Sequence, residues 1–172
     1  MTRSHNPSPN RTAAVGGWTN LFAKLRLPKV TMKAGGFYGS NTNAFTMLGG
    51  FAVKSIADSA KGTESYAGIH TFAGWGEFMT NGKRWQTGIF GAFSKNLGAG
   101  EKVTGPYYSR GTNIDYLYRV SPRLILNVNK FRIAAEVEYT VAAYGKTNEK
   151  GCVYQQSEVA NIRGLIGVYY FF

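Results

Sequence analysis

Long stretches of strict alternation between apolar and polar residues constrain this chain more than any other feature. Residues 113–127, 131–144 and 158–172 each place apolar side chains at every second position and polar ones between them. Successive side chains of a β-strand point to opposite faces of the sheet, so a period of two predicts strands. We therefore predict three consecutive long strands, each with one apolar face and one charged face.

Four earlier segments have the composition of strands. Residues 14–27 and 84–96 alternate almost as clearly, whereas glycines dilute the pattern in residues 30–40. Residues 67–80 mix polar and apolar side chains at both parities, which predicts a β-bulge near residues 74–76. The sequence thus predicts seven strands and an all-β fold.

The composition excludes several other classes of protein. Of the 172 residues, 44% are hydrophobic, 15% aromatic and 17% charged, a balance that is too apolar for a disordered chain. No apolar run approaches the roughly 20 residues that a membrane-spanning helix needs. The predicted strands, at roughly 14 residues, exceed the usual five or six of a soluble sheet and the 9 to 11 that cross a bilayer. Strand length therefore points to a membrane barrel.

Connector lengths alternate along the chain. The short connectors are residues 28–29, 81–83 and 127–130. The long connectors are residues 40–66, 97–111 and 145–157. Short turns at one end and long loops at the other are typical of an antiparallel outer-membrane β-barrel.

Strand direction tests this interpretation. An outer-membrane barrel ends its last strand at the end that carries the short turns, and the seven predicted strands satisfy that rule. Counting the apolar segment 44–54 as an eighth strand would put the 81–83 turn at the wrong end, so we assign it to the long connector.

The strand count also bears on domain organisation. Single-chain bacterial barrels normally have an even number of strands, and residues 1–12 are too polar to supply an eighth. These residues also lack the apolar core of a secretory signal. We expect residues 1–172 to be one domain, the C-terminal portion of a larger barrel. The alternative is a complete small barrel whose first strand the pattern does not reveal.

The last residues carry a resemblance to a known family. The ending from Ile166 to Phe172 resembles the assembly signal of bacterial outer-membrane barrels, with aromatic or apolar residues at alternate positions. The alternating positions are Ile166, Val168, Tyr170 and Phe172. Together with residues 113–145, this ending is similar to the last strands of porin-like proteins of the DcaP type and of Bacteroidota. The likeness covers about the last third of the chain, and members of this family are longer.

The resemblance implies a location and a set of partners. Such a protein would lie in the outer membrane of a Gram-negative bacterium, against lipid and lipopolysaccharide, and its last strand would engage the barrel-assembly machinery. It would form a homotrimer of passive diffusion channels. The connector 40–66 would then fold into the pore or lie over a neighbouring subunit.

The polar faces of the predicted strands predict which solute such a channel would favour. Eight cations share that face: Lys24, Arg26, Lys33, Arg84, Arg119, Arg123, Arg132 and Arg163. Three carboxylates accompany them: Asp115, Glu136 and Glu138. If these residues line a pore, the excess of cations predicts a preference for small anions. The alternative is that the arginines pair with the carboxylates and stiffen the wall, and both roles are compatible.

The sequence offers little for catalysis. His5 and His70 are the only histidines and Cys152 is the only cysteine, so a catalytic triad or a metal site is not expected. Glu136 and Glu138 share a strand face. Because Arg132 lies beside them, the pattern favours a charge network over a catalytic acid and base pair. No nucleotide-binding motif occurs. We expect neither an enzyme nor a cofactor.

Two other functions are alternatives to the channel. The formal charge of +11 is compatible with nucleic-acid binding, but the basic residues are spread through every strand rather than clustered. A soluble lipocalin-like carrier of a small apolar ligand is the stronger alternative. It would turn the same apolar face inward and its charges to water.

Overall fold

The computed structural model describes residues 14–45, 47–58 and 63–172, so the predicted polar segment 1–12 lies outside the described residues. The described chain forms one antiparallel sheet of nine strands. The strands are β1 (Trp18–Arg26), β2 (Val30–Ser40), β3 (Gly49–Asp58), β4 (Thr63–Thr80), β5 (Trp85–Ala99), β6 (Tyr107–Arg110), β7 (Ile114–Val128), β8 (Phe131–Thr147) and β9 (Val153–Tyr170). The predicted all-β class is confirmed.

Seven strands follow one another across the sheet in the order β1, β2, β4, β5, β7, β8, β9. They correspond to the seven predicted strands, and every neighbouring pair is antiparallel. Several are longer than predicted, because β4 begins at Thr63 and β9 at Val153. The last long connector consequently shrinks to residues 148–152.

The segment that the sequence assigned to a loop contains a strand, and this part of the prediction was wrong. β3 pairs with the first residues of β4, through contacts such as Ala52 opposite Ala67. β2 ends opposite His70, so the extension of β4 beyond that point has a free edge that β3 covers. β6 then pairs with the other edge of β3. β3 does not enter the main path, so the strand directions predicted from the sequence are retained.

The position predicted for the bulge was also wrong. The pairing of β4 with β5 is regular through residues 74–76 and shifts between His70 and Thr71. His70 lies opposite Gly98 and Thr71 opposite Asn96, which leaves Leu97 as the extra residue. Gly98 has a φ of 74°, a conformation that glycine adopts without strain.

Pro122 interrupts a hydrogen-bond ladder, as expected of a residue without an N–H group. The pairing of β7 with β8 resumes at Arg123 opposite Glu136, in the same register as Val120 opposite Tyr139. The interruption therefore involves no register shift at this position.

The three short turns lie at one end of the sheet, as predicted. The first closes with a hydrogen bond from Leu27 N to Val30 O of 2.8 Å. The last strand ends at the same place, since Phe171 N donates to Lys130 O at 2.8 Å. The sheet thus has a short-turn end and a long-connector end.

A small hydrophobic core lies at the long-connector end. Its buried residues are Ala52, Ala67, Ile69, Ala99 and Val103, with Tyr107 packed against them. It joins β3, β4 and β5 to the connector after β5. The connectors at this end therefore form an ordered structure of their own.

The sheet is open among the described residues. β1 and β9 lie at opposite edges and do not pair with each other. No helix in the described ranges is both long and apolar enough to cross a membrane.

Candidate functional site

The two faces of the sheet differ in chemistry and in burial. We call one the apolar face; its side chains are more than a third exposed in β8, for example Phe131, Ile133 and Val137. We call the other the charged face; Arg132, Glu136 and Glu138 alternate with those residues and are more enclosed. The charged side chains are thus more buried than the apolar ones, whereas the core of a soluble protein buries its apolar side chains.

The apolar face continues across all seven strands of the main path. Its exposed large residues include Leu21, Leu25, Met32, Phe78, Ile89, Phe93, Val120, Leu124, Phe131, Ile133, Val137, Tyr139, Ile162, Ile166, Val168, Tyr170 and Phe172. Residues directly opposite each other in an antiparallel pair share a face, and the register connects these side chains strand by strand. Soluble monomers rarely expose an apolar patch that spans a whole sheet.

Aromatic residues are concentrated at the two ends of this face. Near the short turns lie Trp85, Phe131, Tyr170 and Phe172, which we call the lower aromatic band. Near the long connectors lie Tyr38, Phe72, Phe93, Tyr116, Tyr118 and Tyr139, which we call the upper aromatic band. Ring contacts hold each band together, such as Phe131 with Tyr170 at 5.0 Å and Phe93 with Tyr116 at 6.0 Å between centroids.

The spacing of the two bands can be estimated from strand geometry. From Phe131 to Tyr139 in β8 is a step of eight residues, about 27 Å along the strand. A tilt of about 40° would reduce this to about 21 Å, close to the roughly 25 Å apolar band of outer-membrane barrels. The side chains between the bands are mostly aliphatic.

The charged face holds one ion-pair group that joins four strands. Glu77 accepts hydrogen bonds from Lys33 Nζ at 2.6 Å and from Arg123 Nη1 at 2.9 Å. Arg123 Nε also lies 3.5 Å from Glu136 Oε2. Arg123 reaches Glu77 over β5, where Gly88 leaves room for it: a Cβ on Gly88 would lie 3.3 Å from Arg123 Cγ.

A second ion-pair group surrounds Glu138, whose exposure is 8%. Arg119 Nη1 donates to Glu138 Oε1 at 2.9 Å, and Arg163 Nε donates to Oε2 at 2.6 Å. Arg119 Nε is held in turn by Thr140 Oγ1 at 3.1 Å. Three neighbouring strands, β7, β8 and β9, thus share one carboxylate between two guanidinium groups.

Asp115 lies apart from both groups. It accepts hydrogen bonds from Lys95 Nζ at 2.8 Å and from Gln156 Nε2 at 3.1 Å, at the long-connector end. Lys95 also lies 5.7 Å from the centroid of the Tyr116 ring. Asp115 therefore neutralises Lys95, a residue outside the predicted set of charged-face cations.

Four predicted cations form no ion pair within the described residues: Lys24, Arg26, Arg84 and Arg132. Lys24 lies directly opposite Lys33. Arg132 Nε donates to the neutral Asn127 Oδ1 at 2.8 Å and its guanidinium lies 5.5 Å from the Phe171 ring. The positive charge of these side chains is therefore not cancelled by a carboxylate.

Sequence reasoning missed Glu77, the carboxylate that connects the two halves of the charged face. It belongs to β4, whose mixed pattern concealed which residues share a face. The register places Glu77 opposite Lys33, so the balance on this face is eight cations to four carboxylates rather than three.

Aromatic residues on the charged face were also missed. Trp75 lies between Phe22 and Phe90, with centroid distances of 5.8 and 6.2 Å. A second cluster joins Phe45 of the 3-10 helix Thr42–Phe45 to Trp18 at 5.4 Å. The charged face thus also carries aromatic side chains from β1, β4 and β5, which a search for charged residues strand by strand does not reveal.

An ion pair links the connector after β5 to the connector after β8. Lys102 Nζ lies 2.7 Å from Glu149 Oε2. A hydrogen bond from Lys102 is the main reason why the pKa of Glu149 lies below its usual 4.5, and the same bond raises the pKa of Lys102 above 10.5. Both side chains are exposed, so this pair is screened by solvent.

The histidine and cysteine considered as candidate site residues, His70 and Cys152, each contact a neighbouring strand or connector. His70 Nδ1 lies 3.4 Å from the Tyr38 hydroxyl. Cys152 Sγ donates to Leu97 O at 3.6 Å. Among the described residues, no group of three or more His, Cys, Asp or Glu side chains is placed to hold a metal ion. The residues of the predicted assembly signal, Ile166, Val168, Tyr170 and Phe172, are all exposed at the edge of the sheet.

Comparisons with protein-family models, with curated proteins and with solved structures find no match to this chain.

Proposed function

We propose that this chain forms part of the wall of an outer-membrane channel through which small anions diffuse. The observation that carries the proposal is the apolar face with its two aromatic bands. Burying such a face in lipid satisfies its hydrophobic side chains, while tyrosine and tryptophan prefer the two membrane interfaces. The charged face would then line the water-filled interior.

The paired charges of that face would act mainly as a scaffold. Glu77 and Glu138 each bind two cations, which fixes the arginines across neighbouring strands. Glu77 and Glu136 cancel the charges of Lys33 and Arg123, whereas Glu138 leaves one net positive charge on its two arginines. The anion preference therefore falls to that group and to the unpaired cations Lys24, Arg26, Arg84 and Arg132. A fixed excess of positive charge concentrates anions near the wall.

The soluble carrier is less well supported. It would enclose the apolar face around a ligand and expose its charges to water. In this sheet the apolar side chains are the exposed ones, and Glu138 is among the buried residues.

The proposed partners follow from the same arrangement. Lipid and lipopolysaccharide would cover the apolar face, and the assembly machinery would engage the free edge of β9. A homotrimer of the porin type remains part of the proposal, in line with the resemblance of the last strands.

The test is the reversal potential of the complete assembled protein in a planar bilayer under a salt gradient. We expect anion preference, and we expect it to weaken at high salt as the wall charges are screened. The variant Lys24→Gln, Arg26→Gln, Arg132→Gln removes three unpaired cations without breaking an ion pair. Its reversal potential should move toward zero.

The matched control is Arg110→Gln, Lys146→Gln, Lys150→Gln, which removes the same charge from exposed, unpaired residues at the long-connector end of the described sheet. Its reversal potential should stay close to that of the parent. Cation preference in the parent, or equal shifts in both variants, would reject the wall-charge mechanism even if the protein inserts into the bilayer.

A further inference from the structure

The short-turn end of the sheet carries six basic side chains and no acidic side chain among the described residues. We call this set the basic rim: Arg26, Lys29, Lys83, Arg84, Lys130 and Arg132. Every one of the three short turns contributes a lysine, and all six residues except Arg132 are exposed. Within the described chain, none of the six forms an ion pair.

Acidic side chains avoid this end. The chain has nine aspartates and glutamates, of which Glu77, Glu136 and Glu138 lie on the charged face, three or more residues inside the short-turn ends of their strands. The other six lie toward the long connectors: Asp58, Glu64, Glu101, Asp115, Glu149 and Glu158. A terminal carboxylate at Phe172 would cancel one of the six rim charges and leave five. The acidic residues thus lie away from the short-turn end, which keeps a net positive charge.

Backbone hydrogen bonds join the turns into one continuous edge. Asn81 N donates to Lys29 O, Asn127 N to Arg84 O, and Phe171 N to Lys130 O, each at 2.8 Å. Seven strands spaced about 4.8 Å apart span roughly 29 Å. The three turn lysines are therefore spaced about 10 Å apart on average along this edge.

The rim directly adjoins the lower aromatic band. Lys83 and Arg84 precede Trp85, and Lys130 precedes Phe131. If this band marks a membrane interface, the rim lies at the depth of the lipid headgroups, where basic side chains attract anionic lipids.

We propose that the three turn lysines of the basic rim, Lys29, Lys83 and Lys130, bind the phosphates of anionic phospholipids in the leaflet at the short-turn end, while Arg26, Arg84 and Arg132 stay on the charged face. This inference rests on the proposed membrane location but not on the channel activity. Two of these lysines adjoin residues of the lower aromatic band, which fits a layer of headgroups better than a soluble polyanion, because a soluble polyanion would have no contact with the adjacent rings.

The experiment compares binding to two kinds of vesicle, phosphatidylcholine alone and phosphatidylcholine mixed with phosphatidylglycerol. The protein is the full chain transferred from detergent, and the readout is the ratio of the two partition coefficients. The rim variant is Lys29→Gln, Lys83→Gln, Lys130→Gln, whose residues lie in turns and not among the proposed wall charges. The control is again Arg110→Gln, Lys146→Gln, Lys150→Gln.

The parent should prefer the anionic vesicles, and the rim variant should lose roughly tenfold to hundredfold of that preference at low salt. The control should keep most of it. An equal loss in both variants, or no loss in the rim variant, would overturn the proposal. So would an unchanged lipid preference together with lost binding to soluble polyglutamate, which would indicate an acidic protein partner.

The same measurement separates the two proposals. Failure of the parent to enter neutral vesicles would contradict the proposed membrane location. Insertion of all three proteins into neutral vesicles with no anionic preference would contradict the rim proposal alone.

Discussion

Glu138 shows at the level of a single residue why a charged face can be stable. Its carboxylate is almost fully enclosed, which would be costly for an isolated charge. Two guanidinium groups compensate for the lost water, and both arginines keep part of their surface exposed. The charge is thus satisfied by its neighbours while the arginines stay accessible.

We predict that Glu138→Gln destabilises the sheet. The amide would leave Arg119 and Arg163 without a counter-charge, and since those arginines are partly solvated the cost should be about 1 to 2 kcal/mol. Urea unfolding of the detergent-folded protein measures it. The control Glu101→Gln removes an exposed carboxylate paired with Lys54 and should change stability by less than about 0.5 kcal/mol. Equal effects would show that Glu138 has no special role.

Two adjacent glycines allow a matched test of packing on the two faces. A Cβ on Gly35 would lie 2.5 Å from Trp75 Nε1, whereas the nearest atom to a Cβ on Gly36 is Ala73 O at 3.9 Å. We expect Gly35→Ala to displace the Trp75 ring from Phe22 and to cost about 1 kcal/mol. Gly36→Ala should be neutral or slightly stabilising. Tryptophan fluorescence and urea unfolding of both variants would check this, and a loss in Gly36→Ala alone would contradict the assignment of faces.

At the scale of elements, the connectors at one end are more ordered than their sequence indicates. β3 and β6 complete a pairing that begins on the extension of β4. The connectors after β5 and β8 are joined by Val103 N donating to Glu149 O at 2.8 Å and by the pair of Lys102 with Glu149. These contacts link residues far apart in the sequence.

We predict a pH window for that ion pair. The pKa of Glu149 is lowered, so the pair's contribution is present above the ordinary carboxylate pKa and is lost as pH falls through the lower folded value. The pKa of Lys102 is raised, so the contribution is lost at high pH as pH rises through its folded value. NMR titration of the Glu149 carboxyl should give a midpoint below that of a model glutamate.

Two lysine variants test whether Lys102 causes the lowered pKa of Glu149. Lys102→Met should return the Glu149 midpoint toward its usual value, and added salt should do so in part. Lys54→Met, which removes a lysine paired with Glu101, should leave it unchanged. A midpoint unaffected by Lys102→Met would exclude the pair as the cause.

The seven strands of the main path could be predicted from the sequence, whereas β3 and β6 could not. Period-two alternation reports the environment of each strand separately, and it located β7, β8 and β9 within a few residues. β3 depends on an edge created by the different lengths of β2 and β4, which no local pattern encodes. The same limit explains why Glu77 was missed and why the bulge was misplaced.

The charged site was predictable in its membership but not in its pairing. Parity placed Arg119, Arg123 and Glu138 on one face, and the ion pairs among the strands agree with that. Which cations are neutralised depends on side-chain reach across strands, as when Arg123 passes over β5 to Glu77. The unpaired cations emerge only from the assembled sheet.

At the scale of the whole molecule, strand direction limits how the sheet can close. The main path has seven strands and every step along it is antiparallel. β1 and β9 consequently run in the same direction, and joining them directly would create the one parallel pair of the sheet. If a second copy had the same orientation in a membrane, its β1 would also lie parallel to β9 of this copy. An antiparallel closure needs an odd number of further strands between β9 and β1.

We therefore predict that β1 and β9 are not neighbours in the folded protein. In a Cys152→Ser background, the pair Ala23→Cys and Gly164→Cys places thiols on the apolar face of the two edge strands, and oxidation should give no intramolecular disulfide. Ala34→Cys with Gly76→Cys is the positive control, because these residues are directly opposite in β2 and β4. A Cβ at Gly76 or Gly164 has no neighbour closer than 3.8 Å, so the new thiols fit. An efficient cross-link between residues 23 and 164, detected by gel mobility and peptide mapping, would mean that the seven strands close on themselves and that no additional strands are needed.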